Sequence, residues 1–186
     1  HKEVGGVKPK ISFIGKYNHI MEQVEIDWKY SNPLQAADNL IFIKEIVRKT
    51  FLANGLETTF LAKPIENVAG SGMHVHLGMI ANKVDGSKIN LFNSIENNFF
   101  IIFGFGAVMG MLKNYEVMSP FISSTDDSLR RLKPGYEAPV SIVASLGDDI
   151  EEPSRNRTVL IGLIRDQENP FATRFELRSP NPMSNI

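Results

Sequence analysis

The chain has 186 residues, a formal net charge of −1 and no cysteine. This length fits one large domain with a sizeable core. A net charge near zero provides no basic field for nucleic acid. The lack of cysteine excludes disulfides and thiolate metal sites, and it suits a reducing compartment. The longest apolar run, at 99–112, is interrupted by glycines and is too short for a membrane span, so it predicts a buried helix.

The first clear element is an alternation of polar and apolar residues over 23–30, which predicts a half-buried strand. In that strand Glu25, Asp27 and Lys29 share one face, and the apolar residues share the other.

A helix is predicted next. Asn32 can cap it, Pro33 suits its first position, and Gln35 follows three residues after the cap. Apolar residues then recur at helical spacing, and Gly55 is placed to end the helix.

The rest of the chain is predicted to hold short strands, one long helix over 92–113, a turn at Asp85-Gly86 and a long ordered loop over 119–137. The strands do not alternate with helices in a βαβ rhythm, so we expect an α+β fold with a largely antiparallel sheet and flanking helices. The predicted strands are 57–62, 73–80, 139–145, 157–165 and 173–178.

A glycine-rich turn over 70–72 leads directly into His74 and His76, which lie on one face if this segment is extended. Imidazole is a common metal ligand, and glycine lets the backbone approach a ligand closely. A His-x-His pair is a weak signal alone, because such pairs can also serve only to fill space.

The last predicted strand places Arg174, Glu176 and Arg178 on one face, with Phe175 and Leu177 on the other. A carboxylate between two guanidinium groups favours its ionised form and can bind a hard cation. The guanidinium groups can bind phosphate or carboxylate. A surface ion-pair ladder of little energetic value is the alternative.

Further charged residues occupy a strand start and a loop. Arg155 and Arg157 precede an apolar strand, where they are either anion ligands or a solvated strand end. The turn at Pro134-Gly135 presents Glu137, which is either a general base or part of an ordinary turn.

Glu3 and Glu25 could join His74 and Glu176 in a divalent-cation site. Oxygen ligands with few imidazoles favour Mg²⁺ or Mn²⁺ over Zn²⁺. Together with the arginines, they suggest phosphoryl transfer from a nucleotide, although the sequence has no Walker-type loop.

Taken in order, these segments resemble the catalytic domain of glutamine synthetase. The resemblance is carried by residues 1–4, 24–30, 63–64, 70–76, 131–140, 155–158 and 174–182. It implies a ligase that uses ATP to phosphorylate the γ-carboxylate of glutamate and then lets ammonia displace phosphate. It also implies a cytoplasmic homo-oligomer built as a ring, with no nucleic-acid or membrane partner.

The resemblance assigns roles residue by residue. Glu3 and Glu25 would hold a metal near the glutamate and ammonia sites, and His74 with Glu176 would hold the metal that bridges the nucleotide phosphates. The remaining implied roles are nucleotide phosphate binding for His76, glutamate binding for Gly70, Arg131 and Arg178, stabilisation of the transferring phosphoryl group for Arg157 and Arg174, and deprotonation of ammonium for Glu137.

The chain also departs from the family pattern. Ala69 replaces an asparagine, Gly78 a common serine, and Gly162 an arginine. These differences leave open a ligase for polyamines or other amines, and a non-catalytic nucleotide-binding paralogue. We expect residues 1–186 to be a partial catalytic domain, inactive alone, that lacks the family's amino-terminal domain and carboxy-terminal helices.

Overall fold

The computed structural model describes residues 2–3, 23–93, 102–135, 138–145, 156–166 and 168–183. It begins with a two-stranded antiparallel ribbon of β1 (Lys2–Glu3) and β2 (Val24–Glu25). The predicted strand over 23–30 is thus shorter than its alternation suggested. Outside these two residues the segment is irregular, because only they have a strand partner.

Helix α1 (Pro33–Ala53) begins and ends as predicted. The Oδ1 atom of Asn32 accepts a hydrogen bond from the backbone N–H of Gln35 at 3.0 Å, which satisfies a donor that the first turn leaves unpaired. After the helix, Gly55 has a φ of +74°, a left-handed conformation that glycine adopts without a steric penalty.

The segment over 57–62 contains no strand, so that prediction is wrong. The backbone there has no strand partner. Instead, the carbonyl oxygen of Ala62 accepts a hydrogen bond from the N–H of Ser71 at 2.8 Å. The predicted strand over 73–80 is divided into β3 (Val75–Leu77) and the start of β4 (Ile80–Asn82). Strand β4 pairs with β5 (Lys88–Asn90) across the turn that contains Gly86.

Three helices follow: α2 (Ile102–Lys113), α3 (Tyr115–Ile122) and α4 (Asp126–Arg131). Helix α2 confirms the predicted long helix over 102–113, whereas residues 92 and 93 are not helical and 94–101 lie outside the described residues. Helices α3 and α4 occupy much of the predicted loop over 119–137, so that prediction is wrong. Helix α4 forms because Thr125 caps it, acidic residues fill its first turn and basic residues its last.

The main sheet has the order β3-β8-β7-β6 and includes β6 (Ser141–Ser145), β7 (Val159–Ile164) and β8 (Arg174–Leu177). A short 3₁₀ helix, Pro170–Ala172, precedes β8. Strand β8 is antiparallel to both neighbours, but β6 and β7 are parallel. The expected largely antiparallel sheet is therefore a mixed one. Alternation reports which face is buried, whereas strand direction depends on how the connecting chain returns.

The core lies on one face of this sheet, beneath α2 and α3. Phe92 and Phe175 meet edge to face there, with ring centroids 5.0 Å apart and an interplanar angle of 79°. The buried apolar cluster consists of Phe92, Val108, Ile122, Leu160, Ile161, Phe175 and Leu177. Because Phe175 and Leu177 point into the core, the alternate residues of β8 point to the opposite face.

Candidate functional site

The sheet register places the charged residues of β3 and β8 together. His76 of β3 is directly opposite Glu176 of β8, and Gly162 of β7 is opposite Glu176 on its other side. Directly opposed residues share a face. At Glu176, the polar face of β8 therefore receives His76 from one neighbouring strand and a glycine from the other.

Glu176 is the centre of a hydrogen-bonded chain. Its Oε1 atom accepts from Nδ1 of His74 at 2.7 Å, and its Oε2 atom accepts from Nη1 of Arg178 at 2.7 Å. The Glu176 side chain is only 13% exposed. Burial raises the pKa of this carboxyl group, but the hydrogen bonds and charges of His74 and Arg178 outweigh burial and lower the pKa to about 2. Glu176 is therefore ionised at neutral pH.

His76 lies beside the same carboxylate, with its Nε2 atom 3.9 Å from Oε1 of Glu176. Its Nδ1 atom accepts a hydrogen bond from Nε of Arg174 at 3.2 Å. Burial lowers the pKa of His76, and Arg174 and His74 lower it further, against the opposing charges of Glu176 and Asp27. The net shift favours the neutral form of the imidazole.

The glycine turn before β3 makes close contacts that exclude a side chain. A Cβ atom at Gly70 would overlap the carbonyl oxygen of Ala62. Gln23 donates from Nε2 to the carbonyl oxygen of Gly70 at 3.0 Å and to Oγ of Ser71 at 3.1 Å. The glycine turn is thus in close contact with Ala62 and hydrogen-bonded to Gln23, and these contacts position the backbone just before His74.

The model of the protein family described as glutamine synthetase, catalytic domain, matches residues 16–186 of this chain. The chain belongs to this family.

Its relatives include glutamine synthetases of Clostridium saccharobutylicum, 35% identical, and Aquifex aeolicus, 37% identical, each aligned over 88% of this chain. Those alignments cover 34% and 32% of the two relatives, so the chain spans about a third of their length. The solved glutamine synthetase of Plasmodium falciparum has a TM-score of 0.72 and 27% identity, covering 84% of this chain and 28% of that one.

A glutamine synthetase-type site would need a divalent cation, and the pair His74 and Glu176 fits part of one. An ionised carboxylate and an imidazole suit Mg²⁺ or Mn²⁺ when phosphate and water oxygens complete the shell. In the part of the chain that the structure describes, no three His, Asp or Glu side chains are arranged to hold an ion. The described residues therefore offer a two-residue half-site.

Of the other predicted site residues, some are exposed and some lie outside the described set. Glu25 is exposed on β2, and the backbone of Glu3 is paired with Val24. Arg157 is exposed just before β7. Glu137 and Arg155 lie outside the described residues, so their roles stay predictions. Among the described helices, none is long and apolar enough to cross a membrane.

Arg131 was predicted from the resemblance as a glutamate ligand, and the structure places it in the interior. It is 4% exposed, and its Nη1 atom donates to the carbonyl oxygens of Ser179 at 2.9 Å and Pro180 at 3.3 Å. Its Nη2 atom donates to the carbonyl oxygen of Arg178 at 3.1 Å. Burial, with a contribution from the charge of Arg178, lowers the pKa of Arg131 to about 10, so it stays charged at neutral pH.

Sequence reasoning missed two residues that support the turn, Lys63 and Asp127. The Oδ2 atom of Asp127 accepts from the backbone N–H of Lys63 at 2.7 Å. The Nζ atom of Lys63 donates to the carbonyl oxygen of Val68, inside the loop that leads to Gly70. The available signal was the Thr125 cap, which places Asp127 in the first turn of a helix.

Proposed function

We propose that the whole protein is an ATP-dependent ligase that joins ammonia to the γ-carboxylate of glutamate and forms glutamine. The observation that carries this proposal is the chain from His74 through Glu176 to Arg178, with Arg174 and His76 beside it. It combines an ionised metal-binding carboxylate with cations on one sheet face. Phosphoryl transfer needs this combination to position and neutralise its phosphate groups.

The cation would be Mg²⁺ or Mn²⁺, held by His74 and Glu176, and when bound it would neutralise charge on the nucleotide phosphates. The protein's own groups supply the rest. His76 and Arg174 bind phosphate oxygens, and Arg178 binds the carboxylate of glutamate. The Nε atom of Arg178 is buried without a hydrogen-bond partner, which is consistent with an acceptor supplied by a ligand.

The proposed reaction has two steps. The γ-carboxylate of glutamate attacks the terminal phosphorus of ATP, releasing ADP and forming γ-glutamyl phosphate. Ammonia then attacks the acyl carbon and phosphate leaves. Family membership extends the proposal to the other predicted residues: Glu3 and Glu25 as ligands of a second cation, Gly70 at the glutamate, Arg157 at the transferring phosphoryl group, and Glu137 as the base that deprotonates ammonium.

A second candidate is a ligase of the same chemistry that uses a larger amine. The observation that favours it is Gly162, which lies opposite Glu176. A Cβ atom there would be 3.5 Å from Oε2 of Glu176, so a side chain would occupy the space next to the carboxylate. With glycine, that space is open to a bulkier substrate.

The test uses the whole protein with ATP, glutamate and Mg²⁺, and compares ammonia with putrescine as the amine. We expect ammonia-dependent release of phosphate in equal amounts with glutamine. Release with putrescine but not with ammonia would favour the amine ligase. ATP binding without phosphate release for either amine would identify a non-catalytic protein and overturn both proposals.

A further inference from the structure

We propose that Gln23 is a positioning residue for glutamate binding, because its side-chain amide orients the peptide group between Gly70 and Ser71 in the glycine turn. The resemblance assigns Gly70 to the glutamate and assigns no role to Gln23. For its kinetic readout the inference rests on the proposed function. For its structural and hydrogen-exchange readouts it does not.

The side-chain amide of Gln23 bridges two neighbouring groups of the turn. Its Nε2 atom donates to the carbonyl oxygen of Gly70 at 3.0 Å and to Oγ of Ser71 at 3.1 Å. A backbone carbonyl oxygen can only accept, so the amide nitrogen and not the amide oxygen must face Gly70. One amide thus binds two acceptors in the turn from a position 47 residues earlier in the chain.

The same peptide group is also bound at its other end. The N–H of Ser71 donates to the carbonyl oxygen of Ala62 at 2.8 Å. The carbonyl group of Gly70 and the N–H of Ser71 belong to one planar, rigid peptide unit. The backbone of a glycine adopts many conformations, so a hydrogen bond at each end of this unit is what sets its orientation. Gln23 supplies one of these two bonds.

The segment that begins at Gln23 runs beside the turn and β3. Gln23 is half-buried and directly precedes β2, which is paired with β1. Four residues further on, the charge of Asp27 acts on His76 of β3 and opposes the lowering of its pKa. The residue that orients the turn therefore lies two positions before Glu25, on a segment that follows the candidate site.

The bridge leaves the turn able to receive a ligand. A carbonyl oxygen has two lone pairs, so the bond from Gln23 leaves one acceptor position at Gly70. Glutamate carries an ammonium group that can donate to such an acceptor. An acceptor that is already oriented binds a donor more tightly than one that must first be ordered, because the cost of ordering does not reduce the affinity. Gln23 thus acts on the affinity for glutamate through the turn.

The test compares Gln23→Met with Gln35→Met in the whole protein. Methionine is similar in length to glutamine but has no N–H donor, so it removes both hydrogen bonds to the turn. We expect the KM for glutamate to rise about tenfold. The value of kcat and the KM for ATP should change less than about twofold, because the groups that bind phosphate are intact. A mere loss of folded protein would lower the apparent kcat and leave both KM values unchanged.

Gln35 provides the matched control, because it is a glutamine whose Nε2 atom donates to Oδ1 of Asn39 at 2.9 Å on the exposed surface of α1. Gln35→Met should leave all three quantities near their wild-type values, since such a pair within one helix contributes little. A KM for glutamate within about twofold of wild type in Gln23→Met, or an equal rise in the KM for ATP, would overturn the proposal.

Amide hydrogen exchange tests the bridge without reference to catalysis. In Gln23→Met the amide hydrogens of residues 70–73 should exchange at least about tenfold faster than in the wild type, whereas those of α1 should keep their wild-type rates. Equal rates at 70–73 in the two proteins would contradict the positioning role.

A structure of the whole wild-type protein decides the contact even if the variant does not fold. With and without glutamate, Nε2 of Gln23 should lie within hydrogen-bond distance of the carbonyl oxygen of Gly70. A Gln23 side chain directed away from the turn would refute the inference. If the protein makes no glutamine, the proposed function fails. The exchange rates at 70–73 and the contact in the wild-type structure then still decide whether Gln23 positions the turn.

Discussion

Nδ1 of His74 donates a hydrogen bond to Oε1 of Glu176 across 2.7 Å, joining the glycine turn to the last strand of the sheet. In the neutral imidazole, this bond places the proton on Nδ1 and leaves a lone pair on Nε2. The Nε2 atom faces the glycine turn, 3.1 Å from where a Cβ atom of residue 72 would lie. The imidazole thus has one nitrogen bound to the carboxylate, while the other faces the glycine turn.

Removing the carboxylate at 176 should abolish the proposed cation half-site. We expect Glu176→Ala in the whole protein to raise the Mn²⁺ dissociation constant at least about tenfold and to abolish turnover, without unfolding the protein. Glu45→Gln is the control, because Glu45 forms exposed ion pairs with Arg48 and Lys49 on helix α1. Unchanged activity of Glu176→Ala at limiting Mg²⁺ would rule out the metal role.

The lowered pKa of Glu176 predicts a loss of stability in acid. Its carboxyl group has a pKa of about 2 in the folded protein against an ordinary value of 4.5. A depressed folded pKa contributes stability that is fully present above the unfolded value and disappears as pH falls from 4.5 to about 2.

Urea unfolding of the whole protein between about pH 6 and about pH 3 measures this contribution. The wild type should lose more free energy of unfolding across that range than Glu176→Gln, whose side chain does not titrate. Equal losses in the two proteins would show that the bonds to His74 and Arg178 do not stabilise the ionised form.

Contact between the glycine turn and the buried guanidinium group predicts an energetic coupling of Gly72 with Arg131. Gly72→Ala should destabilise the wild type, because the added Cβ atom overlaps Nη2 of Arg131. In an Arg131→Ala background the same change should cost less, with a coupling free energy of about 0.5–3 kcal/mol. A thermal or urea double-mutant cycle measures it, and additive effects would contradict the contact.

The cap of α1 predicts a local stability effect that is independent of the site. Asn32→Ala removes the acceptor for the N–H of Gln35 and should lower the free energy of unfolding by about 1 kcal/mol. Asn32→Ser keeps an oxygen at the cap and should lose much less. An alanine variant as stable as the serine variant would show that the cap contributes nothing measurable.

Local patterns predicted the elements whose stability comes from nearby residues. Asn32, Pro33 and Gly55 bracket α1 as expected. The alternation in β8 correctly separated Arg174, Glu176 and Arg178 from the two core residues between them. The first result follows from the chemistry of helix ends, and the second from the two-residue period of a strand.

The two wrong predictions, a strand over 57–62 and a loop over 119–137, have a common cause, which is that long-range contacts decide these segments. The segment over 57–62 has strand-like composition but finds no strand partner, and its backbone binds the glycine turn instead. Helix α4 lies within a stretch rich in Ser, Pro and Asp, and it is anchored by Lys63 and Asn181 from distant parts of the chain. Propensity is a weak guide where tertiary contacts provide most of the stability.

The sequence by itself determined the family, the faces of β8 and the chemical types available for a phosphate and cation site. Only the tertiary structure decided which of these groups meet. It paired His74 with Glu176, placed Glu176 beside Arg178 and turned Arg131 onto backbone carbonyl oxygens. The physical reason is that a side chain's type and face are local properties, whereas its partner depends on strand register and on helix docking between residues far apart in the chain.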